Sequence, residues 1–336
     1  MKVWEVQSKE GLDALTLVER PEPHPPAGQV LLKMRAASLN YRDLLTVRGA
    51  YGSKQKLPLV PFSDGVGEVV GVGDGVTRVK VGDRVATIFM QSWIDGEFSA
   101  EKSKSALGGA IDGVLAEYVT LNQNGVVRFP EQLSDEEAAT LPCAAVTAWN
   151  ALTTDGKFKA GDTVLIQGTG GVSIFALQFA KIMGARAIAT SSSDQKLEKL
   201  KQLGASEVIN YKTTPNWEEK VWELTGKVGV DRVIEVAGGA NLNSSLRAVR
   251  YGGYISLIGV LSGLSADVST VSILHKGICV RGIYVGSREM FEAMNRAISL
   301  HGMKPIIDRV FPFDQAREAL QYMESGAHFG KIVIHW

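Results

Sequence analysis

The stretch from residue 162 to 204 constrains the fold more than any other. A continuous apolar run, "DTVLIQ", is followed at once by "GTGGVSIFALQFAKIMGA", then by "RAIATS" and "SDQKLEKLKQLGA". Apolar runs without alternation are strands buried on both faces. The segments between them carry helical spacing and stop at Gly184 and Gly204, where a left-handed cap is wanted. The same rhythm continues through "EVIN", "NWEEKVWELTG", "DRVIEVAG", "NLNSSLRAVRYG", "GYISLIGV" and "GICVRGIYVG". Six short strands interleaved with helices predict an α/β fold with a doubly wound, parallel six-stranded sheet.

Before about residue 130 the pattern is different. Runs such as "VWEV", "ALTLVE", "QVLLKMRAASL", "GVGEVVGV", "RVATIF" and "LAEYVTL" alternate with period two and break at turn signals, "PPAG" and "VGD" among them. That is the signature of an antiparallel β-rich barrel or sandwich. Ser134, with acids in the following turn, starts an Ala-rich buried helix, "SDEEAATLPCAAVTAWNAL", that joins the two halves. From residue 286 come two amphipathic helices and a last strand, "GKIVIHW". With the parallel sheet complete at six, that strand must pair in the first domain. The division expected is therefore a discontinuous domain, 1–125 with 286–336, around a second at 126–285. A chain of 336 residues, 45% hydrophobic, is enough for two cores.

Charge excludes several partners. With 36 basic and 36 acidic residues, no global field favours nucleic acid or an anionic membrane. Cys143 and Cys279 form no C-x-x-C pair, the five histidines show no ligand spacing, and no leader or membrane span is legible. A soluble, cytoplasmic protein is expected.

Gly168, Gly170 and Ser173 give G-x-G-x-x-S directly after a strand and at the opening of a helix, the context that makes this pattern informative. Gly168 permits the tight turn, and Gly170 lets main-chain N–H groups approach a pyrophosphate at the helix N-terminus, so Gly168, Thr169, Gly170, Gly171 and Val172 form the candidate phosphate loop. The rival cluster "DGVGEVVGVGDG" lies inside an alternating strand with no helix after it and is set aside. At the tip of the second strand, where an acid would bind a ribose 2′-hydroxyl, the chain has Ser191, Ser192 and Ser193, then Asp194 and Lys196. A carboxylate there would repel a 2′-phosphate, whereas hydroxyls and an ammonium attract it, so the cofactor expected is NADP(H). Lys196 also fits a solvated helix face, and Asp194 a helix cap. Tyr211, after the third strand, is a further candidate for covering the adenine.

The segments "AASLNYRDLLTVRGAY", "GVGEVVGVGDGVTRVKVGDRV", "LPCAAVTAWNAL" and "LIQGTGGVSIFALQFAKIMGA" resemble, in order and spacing, the medium-chain dehydrogenase/reductase superfamily over essentially the whole chain. The likeness is nearest to its zinc-type alcohol dehydrogenase-like branch and its quinone oxidoreductases. The resemblance implies a GroES-like catalytic domain split around a Rossmann domain. It also sets Thr147 against the nicotinamide, Gly259 and Val260 at the strand end beneath it, and Lys331 on the pyrophosphate. Zinc-dependent members carry a cysteine where this chain has Asn40, a His-Glu pair at Ser63 and Asp64, and a further ligand at Cys143; the four-cysteine lobe is also missing. A metal-free enzyme is therefore expected. Charge developing on a substrate oxygen then needs another donor. The resemblance favours Asn40 and Tyr51, with Tyr41, Arg42 and Asp43 as further candidates. The function expected is a zinc-independent, NADPH-dependent oxidoreductase acting on a small hydrophobic carbonyl, enone or quinone. A homodimer or homotetramer joined through the edge "GICVRGIYVG" is implied. The alternatives are a zinc enzyme with an unusual ligand set and a non-catalytic NADPH-binding protein.

Overall fold

The computed structural model describes residues 1–50 and 56–336. The chain forms two compact units, Met1–Val146 with Val285–Trp336, and Thr147–Tyr284.

In the first unit the alternating segments become β1 (Lys2–Val6), β2 (Leu15–Glu19), β3 (Gln29–Ser38), β4 (Asp64–Val72), β5 (Arg84–Thr87), β6 (Tyr118–Asn122) and β7 (Val126–Val127). The second unit contributes β8 (Thr163–Gln167), β9 (Arg186–Ser191), β10 (Glu207–Asn210), β11 (Val230–Glu235), β12 (Val249–Leu257) and β13 (Cys279–Gly282). The chain then returns to the first unit with β14 (Ile307–Pro312) and β15 (Lys331–His335).

The second unit's sheet runs β10-β9-β8-β11-β12-β13, and every pairing in it is parallel. Leu165, Ile188, Val233 and Ile255 are inaccessible to solvent in its core. Burying such a side chain contributes roughly 1.5–3 kcal/mol, which is why these strands read as unbroken apolar runs. The first unit's main sheet runs β14-β15-β3-β4-β5-β7, with β6 also on β3. The last strand finds its partner there: β15 pairs antiparallel with β3, Val333 opposite Ser38 and Ile334 opposite Ala37.

Two details differ from the sequence expectation. The joining helix is broken by a wide π-helical turn at Leu141–Ala145, between helical segments Asp135–Ala139 and Val146–Thr153. Pro142 has no N–H to give and its ring crowds the preceding turn, which the wider turn relieves. Residues 126–146 also group with the first unit, not the second, because β7 pairs with β5 and the Cys143 N–H donates to Asp64.

Candidate active site

In the second unit, β8 ends at Gln167 and the helix Gly171–Ile182 begins after Gly170. Gly168 has φ +74°, a left-handed conformation that glycine alone adopts cheaply. Gly170 is different. Its φ is −77°, which any residue could adopt, and a Cβ built on it would meet nothing within 4 Å. Neither conformation nor packing within the protein requires glycine here, and the main chain stands bare at a helix N-terminus with no side-chain cap. Such a terminus offers unpaired N–H donors and the positive end of the helix dipole to an anion. Ser173, at the close-packing position, is buried and its hydroxyl donates to Gln167 O at 2.7 Å. Thr169 is buried, while Gly171 and Val172 keep partial exposure.

At the tip of β9, Ser191 is buried and its Oγ accepts the Ser193 N–H at 3.2 Å. Ser192 is partly exposed. The helix Asp194–Leu203 is capped by Ser193, not by Asp194 as expected; Asp194 is its first residue and accepts from Asn210 Nδ2 at 2.6 Å. Lys196 is partly buried in its first turn, and Tyr211 is exposed just after β10. Thr147 is buried, Gly259 is partly exposed and Val260 exposed after β12.

Sequence reading missed Glu235. This carboxylate, inaccessible at the end of β11, accepts from Ala237 N and Gly238 N at 2.9 Å each, from Asn241 Nδ2, from Gln167 Nε2 at 2.9 Å and from Ser245 Oγ. It thereby fixes the loop after β11 to the strand that carries the phosphate loop. An acid closing an apolar run just before "AGG" was the available signal.

The first unit holds a cluster of another kind. Asn40 occupies the cap position of the helix Tyr41–Val47, and Asp43 reaches back to accept its N–H at 2.7 Å. Asp43, by sequence a further candidate for stabilising the substrate oxygen, is wholly buried and also faces Arg42 at 3.4 Å, with its carboxylate engaged at the helix start. Arg42 donates to Leu107 O at 2.7 Å and lies over the Phe89 ring. Tyr41 is exposed. Tyr51 lies outside the described residues.

Beside Asn40 are Ser63 and Asp64, both inaccessible, preceded by Phe62 in the left-handed region at φ +71°, a conformation that costs energy in a non-glycine residue. Asp64 accepts from Ser63 Oγ at 2.6 Å and from Cys143 N at 3.0 Å. Lys331, at the start of β15, is buried; its Nζ donates to Leu39 O and to Asn40 Oδ1, the latter at 2.7 Å. The family resemblance implies a pyrophosphate contact for it, and the structure gives it these two acceptors of the first unit.

Four charged side chains, Arg42, Asp43, Asp64 and Lys331, are thus taken out of water with opposite signs balanced. Burial drives the pKa values. It raises Asp43 to about 6 against the pull of Arg42, raises Asp64 against Lys331 and the Ser63 and Asn40 hydrogen-bonding groups, and lowers Lys331 against both carboxylates. Cys143 keeps some exposure, yet burial of its thiol and then the Asp64 charge push it far above the ordinary thiol range. Asn40 Nδ2 is buried without a well-formed hydrogen bond, although the amide is near enough to Asp64 to favour its charged form.

Two family descriptions match this chain: "Alcohol dehydrogenase GroES-like domain" over residues 26–131 and "Zinc-binding dehydrogenase" over 171–299. A zinc-type alcohol dehydrogenase-like protein of Schizosaccharomyces pombe is 45% identical, over 91% of this chain and 90% of its own. A quinone oxidoreductase of Sus scrofa is 28% identical over 93% and 90%. Among solved structures, a putative alcohol dehydrogenase from Sinorhizobium meliloti 1021 superposes with TM-score 0.94 at 43% identity, covering 100% of this chain and 98% of that one. An NAD-dependent alcohol dehydrogenase gives 0.91 at 31%, with both chains covered completely, and mycobacterial Rv1454c complexed with NADPH gives 0.85 at 27%, again over 100% of each. The chain is an α/β protein with a GroES-like domain and a Rossmann sheet, and it belongs to the medium-chain dehydrogenase/reductase superfamily. Within it, this is an oxidoreductase of the alcohol dehydrogenase and quinone oxidoreductase family, whose members use a nicotinamide cofactor. Among the described residues no helix is long and apolar enough to cross a membrane.

Proposed function

We propose that this protein is a zinc-independent, NADPH-dependent reductase of a small hydrophobic carbonyl, enone or quinone. The observation that carries the cofactor reading is Gly170: a glycine that neither backbone conformation nor internal packing requires keeps the helix N-terminus open for a pyrophosphate. The preference for the phosphorylated cofactor rests on Ser191, Ser192 and Lys196, neutral or cationic groups at a strand tip where a carboxylate would repel a second phosphate. Thr147, Gly259 and Val260 bound the nicotinamide end of the cradle in this reading, with Tyr211 at the adenine end.

When bound, the cofactor supplies the hydride. The protein's task is to stabilise the charge that appears on the substrate oxygen, and Asn40 is the residue that does so: its buried Nδ2 lacks a full hydrogen bond, and leaving such a donor unmet costs roughly 1–3 kcal/mol until an acceptor arrives. Tyr51 is the accompanying phenol.

The side chains at the positions of zinc ligands do not fit zinc. Asn40 Oδ1 and both Asp64 oxygens already accept hydrogen bonds, the Cys143 thiol is held protonated, and the Lys331 ammonium sits beside them, repelling a dication. Among the described residues no group of three or more His, Cys, Asp or Glu side chains could hold a metal. A homodimer or homotetramer pairing through the exposed edge strand β13 completes the reading. The test is NADPH consumption with a panel of enones, quinones and small aldehydes, before and after chelation, with zinc measured in the same sample. Stoichiometric zinc whose removal abolishes turnover refutes the metal-free mechanism, and no turnover on any member of the panel refutes the reductase.

A further inference from the structure

We propose that Lys331 is a positioning residue for the oxygen-binding amide: by donating to Asn40 Oδ1 it fixes the orientation of the side chain so that Nδ2 is the group offered to substrate. The inference rests on the reading of Asn40 given above.

Four observations carry it. The register of the last strand comes first. Val333 lies opposite Ser38, Ile334 opposite Ala37 and His335 opposite Ala36, and the same count places Lys331 opposite Asn40. The main chain continues that pairing, with Leu39 N donating to Ile332 O at 3.1 Å. Lysine is thus delivered to asparagine by the sheet itself.

Second, the ammonium has hydrogens to give and no lone pair to accept with, so the amide atom at 2.7 Å must be the oxygen. An asparagine amide turned by half a revolution has nearly the same shape. Beside an ammonium the two orientations are no longer equal, because the reversed one loses a charge-assisted hydrogen bond and sets two donors against each other. Third, Nζ is held on its other side by Leu39 O, the carbonyl of the residue next to Asn40, so the ammonium is fixed relative to the backbone it orients. Finally, the fold does not need the charge: β15 is held by main-chain pairing and apolar neighbours, and a methionine of similar length would avoid the cost of desolvating an ammonium. The charge has a second effect, since a donor bonded to the amide oxygen polarises the group and makes its N–H a stronger donor.

Lys331→Met tests this with three readouts. Turnover at saturating NADPH is expected to fall roughly 10–100-fold, the scale of a weakened oxyanion donor, while the dissociation constant of NADPH stays within about twofold. A rise in that constant of about tenfold or more with turnover unchanged would overturn the proposal and make Lys331 a cofactor ligand instead. Because the single substitution leaves Asp64 uncompensated, the double variant Lys331→Met/Asp64→Asn is made alongside it. Turnover in that variant is expected to stay low, and recovery to the wild-type rate would reduce Lys331 to a counter-charge. The third readout is independent of catalysis: the side-chain amide signals of Asn40 in protein labelled with nitrogen-15 asparagine are expected to shift and lose protection from exchange in the double variant. Unmoved signals would overturn the proposal even if the wild type proved to have no reductase activity.

Discussion

The two candidate sites, one in each unit, are built by opposite means. The second unit presents bare main chain: Gly168 supplies the turn, Gly170 leaves the helix N-terminus open, and the residues at the tip of β9 are small and neutral. The first unit gathers Arg42, Asp43, Asp64 and Lys331 out of water and sets Asn40 among them. A main-chain site binds an anion through geometry that any sequence permitting the turn can reproduce. In a charged side-chain cluster each buried charge is tolerated on account of the others, so removing one alone leaves another uncompensated. The first kind of site should therefore lose ligand without losing stability when altered, and the second should change chemistry and stability together.

The largest effect expected comes from Gly170→Val. A Cβ at this position meets nothing within 4 Å, so the melting temperature should hold, while NADPH affinity falls roughly 100-fold or more as the side chain fills the space a pyrophosphate would enter. Titration calorimetry beside a thermal melt checks both halves. A large drop in melting temperature would break the contrast between the units.

Asn40→Ala is expected to lower turnover about 100-fold with NADPH affinity nearly unchanged, the mark of an interaction made with the reacting oxygen. Steady-state kinetics combined with cofactor titration would expose the opposite pattern. Next in size is Lys196→Ala, which should narrow the preference for NADPH over NADH by about 1–2 kcal/mol, the worth of a charge-assisted hydrogen bond. Equal affinities for the two cofactors in the wild type would remove the basis of that prediction.

The smallest effect concerns the charged cluster. Burial raises Asp43 to about 6 from an ordinary value of 3.8, so the folded state holds this proton more tightly than the unfolded chain does. The stability so gained is fully present below the unfolded pKa and is lost as pH rises through about 6; Asp64 is shifted in the same direction. Melting temperature measured from pH 4 to 7 should decline more steeply in the wild type than in Asp43→Asn. Parallel profiles would show that the carboxylate is ionised throughout, and the four charges would then form a closed, pH-insensitive unit.

How much was legible in advance follows the same division. The phosphate loop and the serines of β9 each lie within six consecutive residues, so their geometry is local, and strand, turn and helix preferences report it directly. Asn40, Asp64, Cys143 and Lys331 come from four separate stretches of chain, and resemblance to a family named the positions without saying what the substituted side chains do to one another. Asp43, a further candidate by sequence for the substrate oxygen, accepts the Asn40 N–H at a helix start, and the cap expected of Asp194 is supplied by Ser193 one residue earlier. Glu235 escaped notice because its partners, from Gln167 to Ser245, meet only once the parallel sheet has formed.

The amino-acid sequence by itself determined the parallel sheet, its β-rich companion and the anion-ready glycine turn, since apolar periodicity and backbone preference act over a few neighbouring residues. Only the tertiary structure decided that the ammonium of Lys331 meets the amide of Asn40. That encounter depends on the register in which β15 joins β3, and register is chosen by the packing of the whole sheet, with no single segment specifying it.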